Sequence, residues 1–262
     1  MSMNTSSDLS PDLSQDLWYD SPQGTFVLAR EKALLQKMLS PWPRRGHSLL
    51  EVHCGSGRFL ELFWESGFDV TGVEPSLPLL EAARRRMGAR AELQAHTAAH
   101  LPYDDDTFDF VALGPLPDTA RSVHEILCEA VRVAAKGVLL RFWNPCSLAG
   151  IWKALPCTDM HRRNGHAPWM GWRDYCAVLR ALSPHCTLST RSTLCGPPPT
   201  WRAARACAYF NSLMPPLPLG AVGMLRMEHA ARRPLTGIPL RLGPLCLKGS
   251  RTATALENSG GE

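Results

Sequence analysis

The sequence predicts an α/β protein built on a doubly wound sheet. Between residues 48 and 143, short apolar runs alternate with longer amphipathic segments, in the way that strands alternate with helices. This alternation is typical of a parallel sheet that helices cover on both faces. A hydrophobic content of 45% with 20% charged residues is ordinary for a globular domain. Fibrous and wholly disordered proteins are therefore excluded.

An amphipathic helix is predicted ahead of the alternating region. From Thr25 to Leu39 the apolar residues recur at helical spacing, and the Ser40-Pro41 pair ends the helix. Residues 1 to 16 are rich in Ser, Asp and Asn, a composition typical of a loose tail.

The alternating region predicts five strands and three helices. Strands are predicted over residues 48–53, 69–74, 91–96, 107–113 and 138–143, and helices over 58–67, 77–88 and 119–137. Gly67 and Gly137 are predicted to cap the first and the last of these helices, because glycine readily adopts the left-handed conformation at a helix end.

After Trp143 the alternation becomes less regular, although single elements remain recognisable. Helices are predicted near residues 172–182 and 201–213, a strand near 187–191, and a last apolar segment over 220–227. No internal repeat or long linker divides the chain. We therefore expect a single domain over residues 17–250, followed by a loose tail over 251–262.

Composition excludes several classes of protein. The longest apolar run near the C-terminus, Leu219 to Leu225, is far shorter than the roughly 20 residues that cross a bilayer. The N-terminus lacks the basic start and apolar stretch of a secretory signal, so the expected location is the cytoplasm. The nine cysteines include no Cys-x-x-Cys pair, which predicts reduced, mostly buried thiols and no metal site.

Basic residues concentrate toward the C-terminus. Between Thr200 and Arg251, eight basic residues accompany one acid, Glu228, although the net charge of the whole chain is only +4. The excess fits a surface for an anionic ligand or nucleic acid, or more simply a solvated arginine-rich face. Because no recognisable RNA-binding module is present, the sequence argues against a nucleic-acid substrate.

The first predicted strand leads into a turn with the features of a nucleoside site. In an open parallel sheet, ligands bind beyond the carboxyl ends of the strands, where the strand order reverses. Glu51 lies near the end of the strand, and Gly55 and Gly57 in the turn let backbone N–H groups approach a ligand closely. Glu74, at the end of the second strand, can accept hydrogen bonds from both ribose hydroxyls.

The same turn excludes two common nucleotide sites. A dinucleotide site requires Gly-x-Gly-x-x-Gly, but Leu60 stands at the position of the third glycine. A site for a nucleoside triphosphate requires a Gly-x-x-x-x-Gly-Lys-Ser/Thr loop, which the sequence lacks. The remaining candidate ligand is a nucleoside that carries no polyphosphate.

Several motifs, in the correct order, resemble those of the class I S-adenosylmethionine-dependent methyltransferases, specifically the type 11 or ubiquinone/menaquinone-biosynthesis branch. The segment LLEVHCGSGRF resembles the family's acid-x-Gly-x-Gly-x-Gly, and Glu74-Pro75-Ser76 resembles its acid-Pro-Ser. The segments HLPYD and TFD resemble the family's LPF and SFD, and Glu129 to Val133 resembles its E-x-x-R-V helix. The resemblance covers about residues 18 to 150.

The resemblance implies a Rossmann-like methyltransferase fold, with a mostly parallel seven-stranded sheet that ends in an antiparallel C-terminal hairpin. It divides the domain into an N-terminal helical lid (17–45), a cofactor-binding half (46–143) and an acceptor-side elaboration (144–250). It implies S-adenosylmethionine as cofactor and a small-molecule methyl acceptor. The implied cofactor-binding residues are Glu51, His53, Cys54, Gly55, Ser56, Gly57, Glu74, Pro75, Ala98, Ala99, His100 and Leu113. It does not identify the catalytic side chains, and no metal ligand is expected.

Two positions depart from the family pattern. His53 replaces the first glycine, which puts an imidazole beside the methionyl part of the cofactor, where it either clashes or hydrogen-bonds the carboxylate. Residues 96–99 read His-Thr-Ala-Ala in place of the acidic segment that contacts the adenine amino group. Two functions stay open: an active methyltransferase, and a catalytically decayed methyltransferase-fold protein that acts as a binding or interaction module.

The expected acceptor side also has two interpretations. Trp18-Tyr19-Asp20 resembles the aromatic-acid element that covers the cofactor as a lid, and it equally fits an aromatic contact with the core. His161 and His166 belong to a polar cluster in the region where such enzymes bind the acceptor, or to a solvated loop. No motif specifies the acceptor, its nucleophilic atom or the oligomeric state.

Overall fold

The structure is a computed structural model of the chain, and it describes residues 16–114, 116, 120–154 and 170–229. These residues belong to one compact unit that extends to Ala231. The predicted end of the domain at residue 250, the predicted tail at 251–262 and all of the predicted tail at 1–16 except Asp16 lie outside the described residues. Within the described part of the chain, no helix is long and apolar enough to cross a membrane.

The predicted N-terminal helix is present as α1, Pro22–Leu39. It begins three residues earlier than the apolar periodicity suggests, because Ser21 caps it. The Ser21 hydroxyl accepts a hydrogen bond from the Gly24 N–H at 3.0 Å. Pro22 suits the first helical position, because the N–H that proline lacks would have no partner within the helix there. The apolar residues at helical spacing are buried, as predicted.

The predicted seven-stranded sheet is confirmed. Its strands are β1 (Ser48–Val52), β2 (Asp69–Val73), β3 (Ala91–Gln94), β4 (Phe108–Leu113), β5 (Ala134–Trp143), β6 (Thr187–Thr193) and β7 (Val222–Glu228). They lie in the order β3-β2-β1-β4-β5-β7-β6. The first five strands run parallel, whereas β7 is antiparallel to both β5 and β6. The strand order reverses at β1, which makes the ends of β1 and β4 the expected ligand site.

Helices cover both faces of this sheet. After α1 they are α2 (Arg58–Glu65), α3 (Leu77–Met87), α4 (Ala120–Val133), α5 (Leu148–Ala154), α6 (Trp172–Leu182) and α7 (Arg205–Asn211), with short 3-10 turns at Gly88–Arg90 and Pro198–Thr200. Successive strand residues point to opposite faces, so Leu49 joins the apolar cluster under α1 and α2 while Leu50 joins the cluster under α4 and α6.

Gly137 corrects one sequence prediction. The helix predicted over 119–137 ends at Val133, and β5 begins at once at Ala134, so Gly137 lies inside a strand rather than at a helix cap. A Cβ atom at Gly137 would lie 2.6 Å from the Met227 carbonyl oxygen and 3.2 Å from the Trp42 ring. The close approach of β7 therefore requires glycine here, a cause that the local sequence does not reveal.

The second half of the chain differs from its prediction in two further places. The helix predicted over 201–213 is shorter, because α7 spans only Arg205–Asn211 and Trp201 is a buried residue of the preceding loop. Helix α5 was not predicted. The cysteines are also less buried than predicted: of the seven described, all free thiols, only Cys54 and Cys176 are buried.

Candidate functional site

The glycine turn lies where the strand order reverses, between the ends of β2 and β4. The Cys54 N–H donates to the Val73 carbonyl oxygen at 3.2 Å, and the Gly114 N–H donates to the Val52 carbonyl oxygen at 3.0 Å. Gly55 and Gly57 have φ angles of 55° and 78°, in the left-handed region that glycine adopts without strain. Gly57 is the N-cap of α2, and no side chain caps the first turn of that helix in the described part of the chain.

Glu74 joins the glycine turn to the loop after β2. Its side chain is 4% exposed, and its two oxygens accept backbone N–H groups from Gly55 at 2.9 Å and Ser76 at 3.0 Å. A carboxylate offers about four acceptor positions, so each oxygen keeps one for a further donor. Two such acceptor oxygens side by side match two neighbouring hydroxyl groups, which a ribose has.

Glu51 is a second buried carboxyl group at the same strand end. It is 3% exposed, and its Oε2 atom has no hydrogen-bond partner among the described residues. Burial raises the pKa of Glu51 to about 8, the charge of Arg141 opposes that shift, and the charge of Glu74 adds to it. A small cavity beside Glu51 is lined by Leu35, Phe59, Phe63, Ala112, Leu113, Leu139, Arg141 and Met224.

A buried charge cluster, made of Tyr19, Glu31 and Arg141, lies behind this carboxyl group. Arg141 on β5 donates to the Glu31 carboxylate on α1 at 2.7 Å, and the Tyr19 hydroxyl lies 3.3 Å from the same carboxylate. The guanidinium also stacks over the Phe59 ring at 3.8 Å from its centre. The sequence predictions did not include this cluster. Two features of the sequence point to it: an arginine inside an apolar strand, and a glutamate on the apolar face of α1.

The N-terminal segment lies against the glycine turn. Asp16 accepts hydrogen bonds from the Ser56 hydroxyl at 2.7 Å and the Arg58 Nε at 3.2 Å, and Asp20 pairs with Arg58 at 3.0 Å. Trp18 and Tyr19, which lie between these two acids in the sequence, pack on the apolar cluster under α1 and α2. The aromatic contact with the core is therefore present, and the acids that flank it hold the segment beside the turn.

His53 occupies the strained position of the turn. Its φ of 56° lies in the left-handed region, which costs a residue with a Cβ atom about 1 kcal/mol or more. The end of β4 approaches it so closely that a Cβ at Gly114 would lie 2.6 Å from the His53 carbonyl oxygen. The tight crossing of the two strand ends therefore holds His53 in this conformation.

The segment at 97–101 reaches the same strand ends from the other side. Ala98 and Leu101 are buried in the apolar cluster that also contains Val73 and Leu113, whereas Ala99 is half-buried and His100 is exposed. The Leu101 N–H donates to the Glu129 carboxylate at 2.9 Å.

The E-x-x-R-V motif on α4 holds this segment in place. Arg132 bonds the Glu129 carboxylate at 2.7 Å and the Tyr103 carbonyl oxygen at 2.8 Å. The ion pair lowers the pKa of Glu129, whose carboxylate also accepts the Leu101 N–H. The two charged residues of the motif therefore position the loop between β3 and β4 rather than face the candidate site.

The structure brings most of the sequence-predicted site residues together. The residues from Glu51 to Gly57, the Glu74-Pro75 pair and Leu113 meet at one edge of the sheet, with Ala98 packed beside them. His161 and His166 lie outside the described residues. Among the described residues, no group of three or more His, Cys, Asp or Glu side chains could hold a metal ion.

Comparison with known proteins places the site in a recognised domain. Residues 50–142 match the family model described as "Methyltransferase domain". The chain is 32% identical over 103 residues to the malonyl-[acyl-carrier protein] O-methyltransferase of Salmonella typhimurium, covering 39% of this chain and 41% of that protein. It is 34% identical over 102 residues to the demethylmenaquinone methyltransferase of Symbiobacterium thermophilum, covering 36% and 41%. The match thus spans less than half the length of these relatives.

Solved structures share the fold over most of the chain. A possible histamine N-methyltransferase from Thermotoga maritima has a TM-score of 0.58 at 19% identity, covering 83% of this chain and 96% of that one. The magnesium protoporphyrin IX methyltransferase of Synechocystis, solved with bound S-adenosylhomocysteine, has a TM-score of 0.55 at 12% identity, covering 83% and 94%. The resemblance inferred from the motifs and the predicted fold class are both confirmed.

Proposed function

We propose that this chain, which has a class I methyltransferase fold of the ubiquinone/menaquinone-like type, is an S-adenosylmethionine-dependent methyltransferase that acts on a small molecule. One observation carries the proposal: the Glu74 carboxylate is fixed by two backbone N–H groups beside the glycine turn. The family match over residues 50–142 supports the same conclusion.

The side chains at the strand ends fit the parts of this cofactor. Glu74 would accept hydrogen bonds from the two ribose hydroxyls. The glycine turn would pass close to the methionyl part of the cofactor, because Gly55 and Gly57 have no side chain. Ala98 and Leu113 would flank the adenine with apolar surface. When bound, the cofactor supplies an electrophilic methyl group on a sulfonium. The remaining sequence-predicted cofactor contacts, His53, Cys54, Ser56, Pro75, Ala99 and His100, stay part of this proposal.

The role of the protein in the reaction would be to position the acceptor and exclude water. Transfer from a sulfonium requires alignment with the acceptor atom more than proton transfer, so we assign no general base. One relative named above is a malonyl-[acyl-carrier protein] O-methyltransferase and the other a demethylmenaquinone methyltransferase; the name of the second supports a small-molecule acceptor here. We retain Trp18, Tyr19, His161 and His166 as proposed acceptor-side residues, and the cytoplasm as the proposed location.

Ligand binding is expected to stabilise the folded chain. At 100 times its dissociation constant, S-adenosylmethionine or S-adenosylhomocysteine should add about 2.7 kcal/mol, a rise of about 5–10 °C in the unfolding temperature. The measurement is a thermal scan of the full chain with each sulfur nucleoside, with NAD as the control that should give no shift. No shift with either nucleoside at millimolar concentration would contradict the proposed cofactor.

A matched pair of variants ties the shift to the site. Glu74→Gln keeps the shape of the side chain but loses its charge, and a hydrogen bond to a charged group contributes about 1.5–3 kcal/mol. At the same ligand concentration its shift should fall to about half of the wild-type value or less. Glu92→Gln, on the exposed face of β3, should keep the full shift.

Two substitutions at His53 separate the backbone strain from the imidazole. His53→Ala removes the imidazole and keeps the Cβ atom in the left-handed conformation, whereas His53→Gly removes both. We expect the glycine variant to be more stable than the alanine variant by about 1 kcal/mol, measured by urea unfolding. We also expect the two variants to bind S-adenosylmethionine alike. A tenfold or larger gain in affinity for His53→Gly over wild type would instead favour the decayed, non-catalytic protein.

A further inference from the structure

The segment from α7 to the start of β7 exposes a row of large apolar side chains. Tyr209 is 74% exposed, Phe210 45%, Leu213 41%, Leu217 53% and Leu219 58%. We refer to these five residues as the apolar ridge. Single exposed apolar residues are common, but five within eleven positions of one segment mark a contact surface.

The backbone beneath the apolar ridge is firmly held. The Ser192 hydroxyl donates to the Leu217 carbonyl oxygen at 2.6 Å and accepts the N–H groups of Leu219 and Gly220 at 3.1 and 2.9 Å. Arg191 donates to the Met214 carbonyl oxygen at 2.9 Å. Because β6 fixes the loop at these points, its leucines project outward on an ordered support.

Helix α5 extends the ridge toward the carboxyl end of β5. The Asn144 side-chain amide donates to the carbonyl oxygens of Pro218 and Gly220, at 2.5 and 3.1 Å. Four residues beyond Asn144, α5 begins at Leu148, which is 52% exposed, and Ile151 one turn later is 56% exposed. Since β5 runs parallel to β1, this surface lies at the same edge of the sheet as the glycine turn.

The charged side chains of the segment that carries the ridge are of one sign. Residues 198–221 contain no acidic side chain, whereas Arg202 and Arg205 are both exposed at the start of α7. Apolar side chains beside exposed arginines, without acids, are complementary to an anionic lipid surface, where the arginines meet headgroups and the apolar side chains enter the interface. A protein partner would need acidic side chains around an apolar centre to be complementary to this surface.

From these observations we infer that the apolar ridge, with Arg202 and Arg205, docks the protein on an anionic membrane surface. The inference does not depend on methyl transfer. A docked orientation would bring the acceptor-side edge of the sheet to the lipid surface, because the ridge and the glycine turn share that edge.

The test is co-sedimentation of the full chain with vesicles of phosphatidylcholine, with or without phosphatidylglycerol. We expect binding to the vesicles that contain phosphatidylglycerol, weak binding to pure phosphatidylcholine, and a decrease as salt is added. Arg202→Gln/Arg205→Gln should weaken partitioning about 30-fold, since each basic residue near such a surface contributes about fivefold. Leu217→Ser/Leu219→Ser should weaken it at least tenfold.

Two control variants match these changes on α3, which packs beside β3, at the opposite end of the strand order from β6 and β7. Arg84→Gln/Arg85→Gln removes two exposed arginines from α3, and Leu77→Ser removes a leucine that is 61% exposed at the start of that helix. Both should bind vesicles as wild type does.

Three results would overturn the inference. One is wild-type protein that stays in the supernatant with phosphatidylglycerol vesicles. Another is equal losses in the control and ridge variants, which would indicate non-specific charge attraction. The third is a dimer, measured by light scattering, that Leu217→Ser/Leu219→Ser dissociates, since a second copy would then cover the ridge.

Discussion

Replacing Arg141 with methionine is expected to destabilise the protein by about 3–5 kcal/mol. Glu31 is 1% exposed, and its carboxylate is paired with Arg141 at 2.7 Å. Removal of the guanidinium leaves a buried carboxyl group whose remaining hydrogen-bond partner, among the described residues, is the Tyr19 hydroxyl. Burial already raises the pKa of Glu31 and Arg141 opposes that shift, so the variant should take up a proton at Glu31 on folding.

Urea unfolding at neutral pH measures this effect, and two variants define its origin. Glu31→Gln/Arg141→Met removes both charges, so it should recover most of the lost stability. Arg180→Met removes an exposed arginine from α6 and should change the stability by less than about 0.5 kcal/mol. A loss of less than about 1 kcal/mol for Arg141→Met would show that the cluster is not a structural ion pair.

Replacing Glu51 with glutamine is expected to change how stability depends on pH. The pKa of Glu51 is raised from 4.5 to about 8 in the folded chain, so between these values the folded state holds a proton that the unfolded state has released. Wild-type protein therefore loses about 1.4 kcal/mol of stability per pH unit from this group over that window. Below pH 4.5 Glu51 does not lower the free energy of unfolding, and above about pH 8 its destabilising effect reaches its full value.

The measured quantity is the difference in unfolding free energy between Glu51→Gln and wild type at several pH values from 5 to 9. The difference should move in favour of the variant as pH rises, by about 4–5 kcal/mol in total, and level off above about pH 8. Glu65→Gln, at the exposed end of α2, should differ from wild type by an amount that does not change with pH. A flat difference for Glu51→Gln would mean that its carboxyl group is ionised in the folded chain at neutral pH.

These two predictions concern one buried polar region that joins the N-terminal helix to the candidate site. Glu31 comes from α1, Arg141 from β5 and Glu51 from β1, and all three side chains are at most partly exposed. The charge of Arg141 acts on both carboxyl groups. A substitution at Arg141 should therefore affect both the attachment of α1 and the ionisation of Glu51.

The sequence alone determined the architecture and the location of the candidate site. Apolar periodicity is a local property, so it identified α1 and the strands of the parallel sheet to within a few residues. The site followed from the fold, because parallel strands end at the same edge of a sheet. Glu51, Gly55, Gly57 and Glu74 could therefore be expected to meet before any contact was known.

Contacts between residues that are far apart in the chain are known only from the tertiary structure. Gly137 resembles a helix cap in the sequence, but the approach of β7 makes it a strand residue with no room for a Cβ atom. Glu31 and Arg141 are 110 positions apart, and no local pattern pairs them. The left-handed conformation of His53 lies where the end of β4 approaches the turn closely. Each of these features depends on contacts between elements far apart in the chain, and a local pattern carries no information about such contacts.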